Sequence, residues 1–515
     1  MKHWFVAGVV LVVLLAAALR LPQLSLRPLH NDEGDNAIKF GELWTKNDYK
    51  YDPNEFHGPT LPYFTLPTAW LARSPDFNDF SESTFRTVTA FFGIGTVMVL
   101  LLLAPDLGRV ETWGACLFAA ISPAMVYYSR DYIHEMLLVF FTGLAAVAWW
   151  RFLKCGCLLW CVLAGAALGL MAATKETFVI SVFALVLAVV CANGFKKWRC
   201  GFKPVGLAVG VAALTGVVFF TSFFSNMPGM LDAIRTYAPW LHRAGGASPH
   251  THEWWFYFQR LIFYRANRGP VWSEGLILVL ALAGFVAAMT GRGLGGANHL
   301  LVRVIAFYTG WMTLFYTLLP YKTPWCLIEF YYGMIVLAGI GTAVLVRFCK
   351  PGLLRGTFMA LLAVGAAELA CQAGRENFSF DKGGVPFCDT VKNPYVYSQT
   401  TPDIFRLLQT VDGLAKAAKG GYATPVEVIS KESYWPLPWY LRRFTQIGYW
   451  DNIPDQPLAP IMIVGAELHA GFDERPARTH LMAGYYELRP NVFFELYVNI
   501  SLWTKYIKTV PPEKD

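Results

Sequence analysis

The strings WFVAGVVLVVLLAAALR, residues 4–20, and RPLHNDEGDNA, residues 27–37, set the reading of the chain. The first carries no charge before Arg20. A bilayer core takes about 20 predominantly apolar residues as a helix, and this run approaches that length. The second begins on a base and then places Asp32 and Glu33 side by side. An apolar span therefore delivers an acidic pair to the membrane surface. Ala16-Ala17-Ala18 also fits a signal-peptide cleavage pattern. The reading adopted is an uncleaved anchor, because more apolar runs follow.

Those runs lie at 85–104, 111–128, 136–150, 157–173, 177–194, 204–224, 272–290, 300–319, 325–347 and 353–371. With the first they predict a polytopic α-helical membrane protein of about eleven helices. Composition agrees: 55% of residues are hydrophobic and 15% charged, against about 25% charged in soluble domains. The net charge of +7 does not point to nucleic acid, because the bases cluster in short loops. An inside N-terminus puts Arg109, Arg151, Lys154, Lys196, Lys197, Arg199, Lys203, Arg292, Arg303, Arg347, Lys350 and Arg355 on the cytoplasmic side. The opposite short loops then hold one base each, Arg130, Lys175 and Lys322. The expected location is the inner (cytoplasmic) membrane, multi-pass, with the C-terminus outside. The ten cysteines read as small thiols mostly in or beside apolar runs, and Cys155-Gly156-Cys157 lacks a second pair at zinc spacing.

Two domains are expected, a transmembrane module over 1–371 and an extracytoplasmic α/β domain over 372–515. The module has long outer loops at 20–84 and 225–271. The apolar stretch 59–72 holds Pro59, Pro62 and Pro67 and is too short to span, so it reads as interfacial. In the tail, strand-like stretches at 426–429, 460–464 and 481–488 alternate with helix-like ones at 402–419 and 492–507. No glycine-rich phosphate loop is present in this tail, so no nucleotide is expected.

From Glu33 onward Ala37, Phe40 and Trp44 recur at helical spacing, predicting an amphipathic surface helix with Asp32 at its start. Asp32 there is either a helix cap or a catalytic carboxylate, and the segment alone leaves both open. The outer loops add Tyr127-Tyr128-Ser129-Arg130-Asp131-Tyr132-Ile133-His134-Glu135, Thr174-Lys175-Glu176 and Pro320-Tyr321-Lys322-Thr323-Pro324-Trp325. Arg130-Asp131 and Lys175-Glu176 read blandly as local ion pairs. The sharper reading brings Arg130, Lys175 and Lys322 together to bind an anionic head group, with Asp131, Glu135, Glu176, His57 and Tyr321 in support. Glu329 and Glu368 fall toward the outer ends of their helices, where buried carboxylates are functional candidates. His250-Thr251-His252-Glu253 lacks the spacing of a helical zinc site, and Trp254 to Phe258 reads as an interfacial aromatic belt.

Outside the cytoplasm nucleotide-activated donors are scarce, so an activated group arrives on a lipid carrier. A polyprenyl-phosphate sugar fits carboxylates plus bases at such a surface. The bases stabilise charge on the departing phosphate, and a carboxylate takes the proton of the attacking hydroxyl. One-step attack inverts the sugar.

An ordered set of motifs carries a resemblance along most of the chain. It comprises Arg27-Pro28-Leu29-His30-Asn31-Asp32-Glu33, Asp52-Pro53 with His57-Gly58-Pro59, the three short outer loops, and Tyr434-Trp435-Pro436-Leu437-Pro438-Trp439-Tyr440-Leu441-Arg442. It resembles the protein O-mannosyltransferase-like members of the GT-C superfamily of integral-membrane glycosyltransferases, and among them the "flippase activity-associated" proteins. The resemblance implies a GT-C fold and a polyprenyl-phosphate-sugar donor, with Asp32 as catalytic base and Glu33 beside it positioning acceptor or donor. The acceptor is unassigned among protein, lipid and glycan. The alternative is a non-catalytic lipid-linked-sugar flippase or its accessory protein. No cofactor is assigned, the one idea being a divalent metal on His57 with Asp32 or Asp131.

Overall fold

The computed structural model describes residues 2–192, 201–245, 248, 250–455, 458–475 and 479–510. Lys196, Lys197, Arg199 and Cys200 lie outside the described residues. The chain forms two compact units. The first comprises Met1–Leu24, Glu42–Arg73 and Ser83–Tyr397, and the second Ser25–Gly41, Ser74–Glu82 and Ser398–Asp515.

The helices in chain order begin with α1 (Lys2–Arg20), α2 (Asn31–Lys46), α3 (Thr60–Leu71), α4 (Glu82–Leu101), α5 (Ala104–Leu107), α6 (Arg109–Ile121) and α7 (Pro123–Tyr128). Next come α8 (Glu135–Cys155), α9 (Leu158–Ala172), α10 (Phe178–Cys191), α11 (Phe202–Phe220), α12 (Gly229–Arg235), α13 (Tyr237–Gly245) and α14 (Phe256–Ile262). They continue with α15 (Gly275–Thr290), α16 (His299–Leu318), α17 (Leu327–Phe348) and α18 (Leu353–Phe378). The last are α19 (Asp403–Ala417), α20 (Leu437–Tyr440) and α21 (Ile500–Ile507).

Among the described residues six helical segments are long and apolar enough to cross a membrane, containing α4, α8, α11, α16, α17 and α18. Four shorter apolar helices lie in α1, α9, α10 and α15. The chain is thus a multi-pass membrane protein. The run expected as one span at 111–128 is instead two helices, α6 and α7. The break is local chemistry. Pro123 takes the first position of α7, and the Ser122 hydroxyl oxygen caps it by accepting the Met125 N–H at 3.3 Å. Glu274 seals the break, accepting the Ser122 hydroxyl at 2.6 Å and the Ala124 N–H at 2.8 Å.

Small residues let the helices approach closely, as packing in lipid favours. A Cβ on Gly341 of α17 would sit 1.9 Å from the Leu280 carbonyl oxygen of α15. Gly58 is similarly constrained. Its Cβ would meet the Ala173 carbonyl oxygen at 2.2 Å. There Gly58 N–H donates to Thr174 O and Thr60 N–H to Ala173 O, both at 3.1 Å. The His57-Gly58-Pro59 stretch is thereby fastened to the loop carrying Lys175.

The second unit holds β1 (Val426–Ile429), β2 (Ile447–Trp450), β3 (Ile461–Gly465), β4 (His480–Arg489) and β5 (Val492–Asn499). They form one sheet in the order β2-β1-β3-β5-β4, with β1 parallel to β2 and β3, and β5 antiparallel to β3 and β4. Alternation sorts the faces. Ile461, Ile463, Leu496 and Val498 pack with Ile404, Leu407 and Val411 of α19, while Met462, Val464 and Tyr497 pack with Phe472. The helix-like reading of 492–507 is corrected. Only Ile500–Ile507 is helical, because the aromatic and β-branched residues of Val492–Val498 pair on both edges as β5.

Candidate functional site

The acidic pair belongs to the second unit, at the start of α2. Gly34 N–H donates to the His30 carbonyl at 2.9 Å, so His30 is the residue from which the helix grows. Its cap is built from two side chains. The Asp32 N–H donates to His30 Nδ1 at 3.2 Å, and the His30 N–H donates to Glu33 Oε2 at 2.8 Å. The second bond is the reciprocal half of a capping box. Glu33 is fully buried. Its carboxylate thus shapes the helix start, and the Asp32 carboxylate, half-buried, meets the Asn31 amide at 3.5 Å. The Leu29 N–H just before the pair donates to the Tyr440 hydroxyl at 2.9 Å.

Burial holds the His30 imidazole below its ordinary 6.5, assisted by Arg27 and Arg489 and opposed by Asp32 and Glu33. A neutral ring is what Nδ1 needs to accept a proton donor. The sign follows from linkage: the cap is complete above pH 6.5 and is lost as pH falls through the lowered value. Amide exchange of Asp32 to Gly34, corrected for intrinsic rate, should rise on acidification below pH 6.5. His30→Asn, which caps through an oxygen that does not titrate there, should abolish that rise. An unchanged acid response in that variant would remove His30 as its cause.

In the first unit the three short-loop bases have different partners. Arg130 donates to the Arg20, Pro22 and Gln23 carbonyls at 2.9, 2.8 and 3.1 Å, and lies 5.0 Å from the Phe378 ring centre. It clasps the end of α1. Asp131 beside it is buried. Lys175 is ion-paired with Glu135, both buried, and its Nζ is 3.9 Å from Cys326 Sγ. Glu329 stands nearby on α17, accepting the Tyr316 hydroxyl at 2.5 Å and the Thr177 hydroxyl at 3.4 Å. Glu329 also lines an otherwise mostly apolar cavity of about 170 Å³ among α8, α9, α10, α16 and α17.

His57 Nδ1 lies 2.8 Å from Glu176 Oε2, and its ring stacks on Trp240 at 4.4 Å. Glu176 Oε1 also accepts the Thr236 and Tyr51 hydroxyls at 3.2 and 3.3 Å. His134 Nε2 faces the Gly58 carbonyl at 3.0 Å. A carbonyl only accepts, so that nitrogen carries the proton. Burial, then His57 and Lys175, keep the His134 ring well below its ordinary value and neutral. Among the described residues no group of three or more His, Cys, Asp or Glu is placed to hold a metal ion.

Around Lys322 the segment Thr251–Glu253 comes together with Arg260 and Tyr397. Thr251 and Tyr321 pair as an antiparallel bridge, and Lys322 Nζ donates to the His252 carbonyl at 3.2 Å and to Leu319 O. His250 Nδ1 and His252 Nε2 both reach the Tyr397 hydroxyl, at 2.8 and 3.2 Å. The His252 ring stacks on Phe256 at 4.1 Å, and the Arg260 guanidinium lies 3.6 Å from that ring's centre. Burial, then Arg260, His250 and Lys322, lower His252 below its ordinary value. Burial disfavours charge of either sign there, and the smaller contributions of Arg260 and Lys322 are the ones that would favour an anion. Arg260 and Tyr397 were not singled out from sequence, and His250 to Glu253 was read only as failing a zinc pattern. The missed signal was period two. In an extended segment residues 250 and 252 share a face.

Comparison with known proteins agrees with this architecture. A family model described as dolichyl-phosphate-mannose-protein mannosyltransferase matches residues 63–229. The structure of ArnT from Cupriavidus metallidurans bound to undecaprenyl phosphate superposes with a TM-score of 0.64 at 12% identity, covering 98% of this chain and 99% of that one. The Archaeoglobus fulgidus oligosaccharyltransferase, tethered to an acceptor peptide with the NVT sequon, gives 0.55 at 12% identity, covering 87% of this chain and 64% of that one. No curated protein sequence matches the chain. The chain therefore shares the fold of ArnT and of this oligosaccharyltransferase, the GT-C-like fold expected from the sequence.

Proposed function

We propose that the chain transfers a sugar from a polyprenyl-phosphate-linked donor to an acceptor hydroxyl at the extracytoplasmic membrane face, with inversion. The observation that carries this is the end-to-end likeness to ArnT, whose structure holds undecaprenyl phosphate. In this reading the acceptor oxygen attacks the anomeric carbon, the bond to the phosphate oxygen breaks, and polyprenyl phosphate leaves. Asp32 takes the acceptor proton. Its carboxylate suits the role because His30 and Glu33 already cap the helix. Glu33 then acts through the placement of Asp32.

Lys322 and Arg260, with His252, are assigned the charge that builds on the departing phosphate. Lys175, matched by Glu135, and Arg130, matched by the Arg20, Pro22 and Gln23 carbonyls, are assigned to holding the loops in place. The mostly apolar cavity that Glu329 helps to line is assigned to a lipid tail. Charge-assisted hydrogen bonds contribute about 1.5–3 kcal/mol, so Lys322→Ala and Arg260→Ala should each raise the donor KM about tenfold or more. Lys322→Arg should recover most of the loss. An unchanged donor KM in both alanine variants would take the cluster out of donor binding. Transfer itself is tested by supplying a labelled polyprenyl-phosphate sugar and following the label into protein, lipid and glycan acceptors.

A further inference from the structure

The second unit contains a cavity that the reaction above does not use. It has a volume of about 320 Å³ and lies between α19 and the segment from Tyr440 to Phe444. Phe405, Gln409 and Asp412 line it from α19, and Tyr422, Tyr440 and Arg443 from the other side. We infer that this cavity binds a neutral saccharide, the size of one or two sugar rings.

The lining selects that chemistry by elimination and by fit. Asp412 is held in place, taking the Tyr422 hydroxyl on one oxygen and Lys416 Nζ on the other at 2.5 Å. Each oxygen has a further lone pair, so the carboxylate can accept from a ligand hydroxyl while its charge is already matched. Arg443, half-exposed and 3.8 Å from Asp79, supplies guanidinium donors, and the Gln409 amide supplies a donor and an acceptor. A phosphate would find Arg443 already facing Asp79 and Arg442 already donating to the Trp439, Asn78 and Phe80 carbonyls. A cation would meet Arg443 and Arg442. A hydrocarbon chain would strip water from these groups and return no hydrogen bond, at a cost of about 1–3 kcal/mol for each.

A sugar ring presents hydroxyls along its edge and C–H groups on its face, and the cavity offers both kinds of partner. Phe405 is 36% exposed and stands edge-on to Tyr440, with centroids 6.0 Å apart at 90°. It offers an apolar platform beside the polar groups. The volume is at the lower end of the ~300–1,000 Å³ typical of small-ligand sites. Tyr440 also accepts the Leu29 N–H and donates to Glu82 Oε1 at 2.9 Å. One wall of the cavity therefore also supports the backbone that leads to Asp32.

The test is saturation-transfer NMR on the full-length chain in nanodiscs, with maltose, cellobiose and mannobiose as probes and glucose 6-phosphate as the charged control. At least one neutral disaccharide should bind saturably. Phe405→Ala and Asp412→Asn should each weaken it roughly tenfold or more, Phe405→Tyr should retain it, and the melting midpoint should not move. Three results would overturn the inference: no saturable signal from any of the disaccharides, binding unchanged in both variants, or preference for glucose 6-phosphate over all neutral probes. Binding is read without turnover, so this inference fails or stands separately from the transferase reading.

Discussion

Asp32→Asn should lower sugar transfer by about 10²–10⁴-fold, the range a positioned general base supplies, and should leave α2 intact. The separation of these effects comes from the capping geometry. An Asp at a helix start is ordinarily suspected of capping, and its loss would then unravel the first turn. Here the acceptors at that turn are His30 Nδ1 and Glu33 Oε2, and Asp32 contributes its backbone N–H. Asparagine keeps that N–H and an oxygen toward Asn31. It loses the capacity to take a proton. Transfer rate and amide exchange over residues 31–40 read the two roles independently. Full transfer in the variant would end the base assignment, and a frayed helix with proportionate loss of transfer would make Asp32 structural.

Glu135→Gln should destabilise the first unit by about 3–5 kcal/mol, because it leaves the Lys175 ammonium buried with its partner neutralised. Both side chains are nearly inaccessible, at 5% and 3%. Replacing the pair together, Lys175→Met with Glu135→Leu, should recover most of the loss, since apolar groups of similar volume need no partner. The measurement is the unfolding midpoint of the three chains, the parent and the two variants, in one detergent. If the double variant is as unstable as the single, the ion pair is not what the loop depends on, and Lys175 becomes available for a role in donor binding. If Glu135→Gln is as stable as the parent, the pair contributes little.

Much of the architecture was legible because a bilayer leaves few options. Most of the apolar runs became helices near their expected limits, since in lipid every backbone N–H and C=O must bond within its own segment. The 111–128 run misled because Pro123 is as apolar as its neighbours, and its missing N–H, the Ser122 cap and the distant Glu274 carboxylate divide α6 from α7. In the tail, Val492 to Tyr497 alternates weakly. Its identity as β5 comes from pairing with β3 and β4, which lie outside any local window. The grouping of Ser25–Gly41 and Ser74–Glu82 with the C-terminal residues has no local signal at all.

The candidate site divides in the same way. Asp32 was visible as an acid after a span, but which side chains cap its helix needed the His30 ring, whose role depends on where Nδ1 points. Loop bases were visible as residues out of place. Their partners were not, because Lys175 finds Glu135 across 40 positions and Arg130 finds carbonyls 107–110 positions away. Charge is a property of the residue, and matched charge is a property of the fold.

The decisive measurement places the purified chain in sealed vesicles with a radiolabelled polyprenyl-phosphate sugar and a membrane fraction containing acceptors. Label should pass to an acceptor while free polyprenyl phosphate appears in equal amount, and both should vanish with Asp32→Asn. Label that crosses the bilayer still attached to its carrier, with no polyprenyl phosphate released by either chain, would contradict the transferase reading and establish lipid translocation in its place.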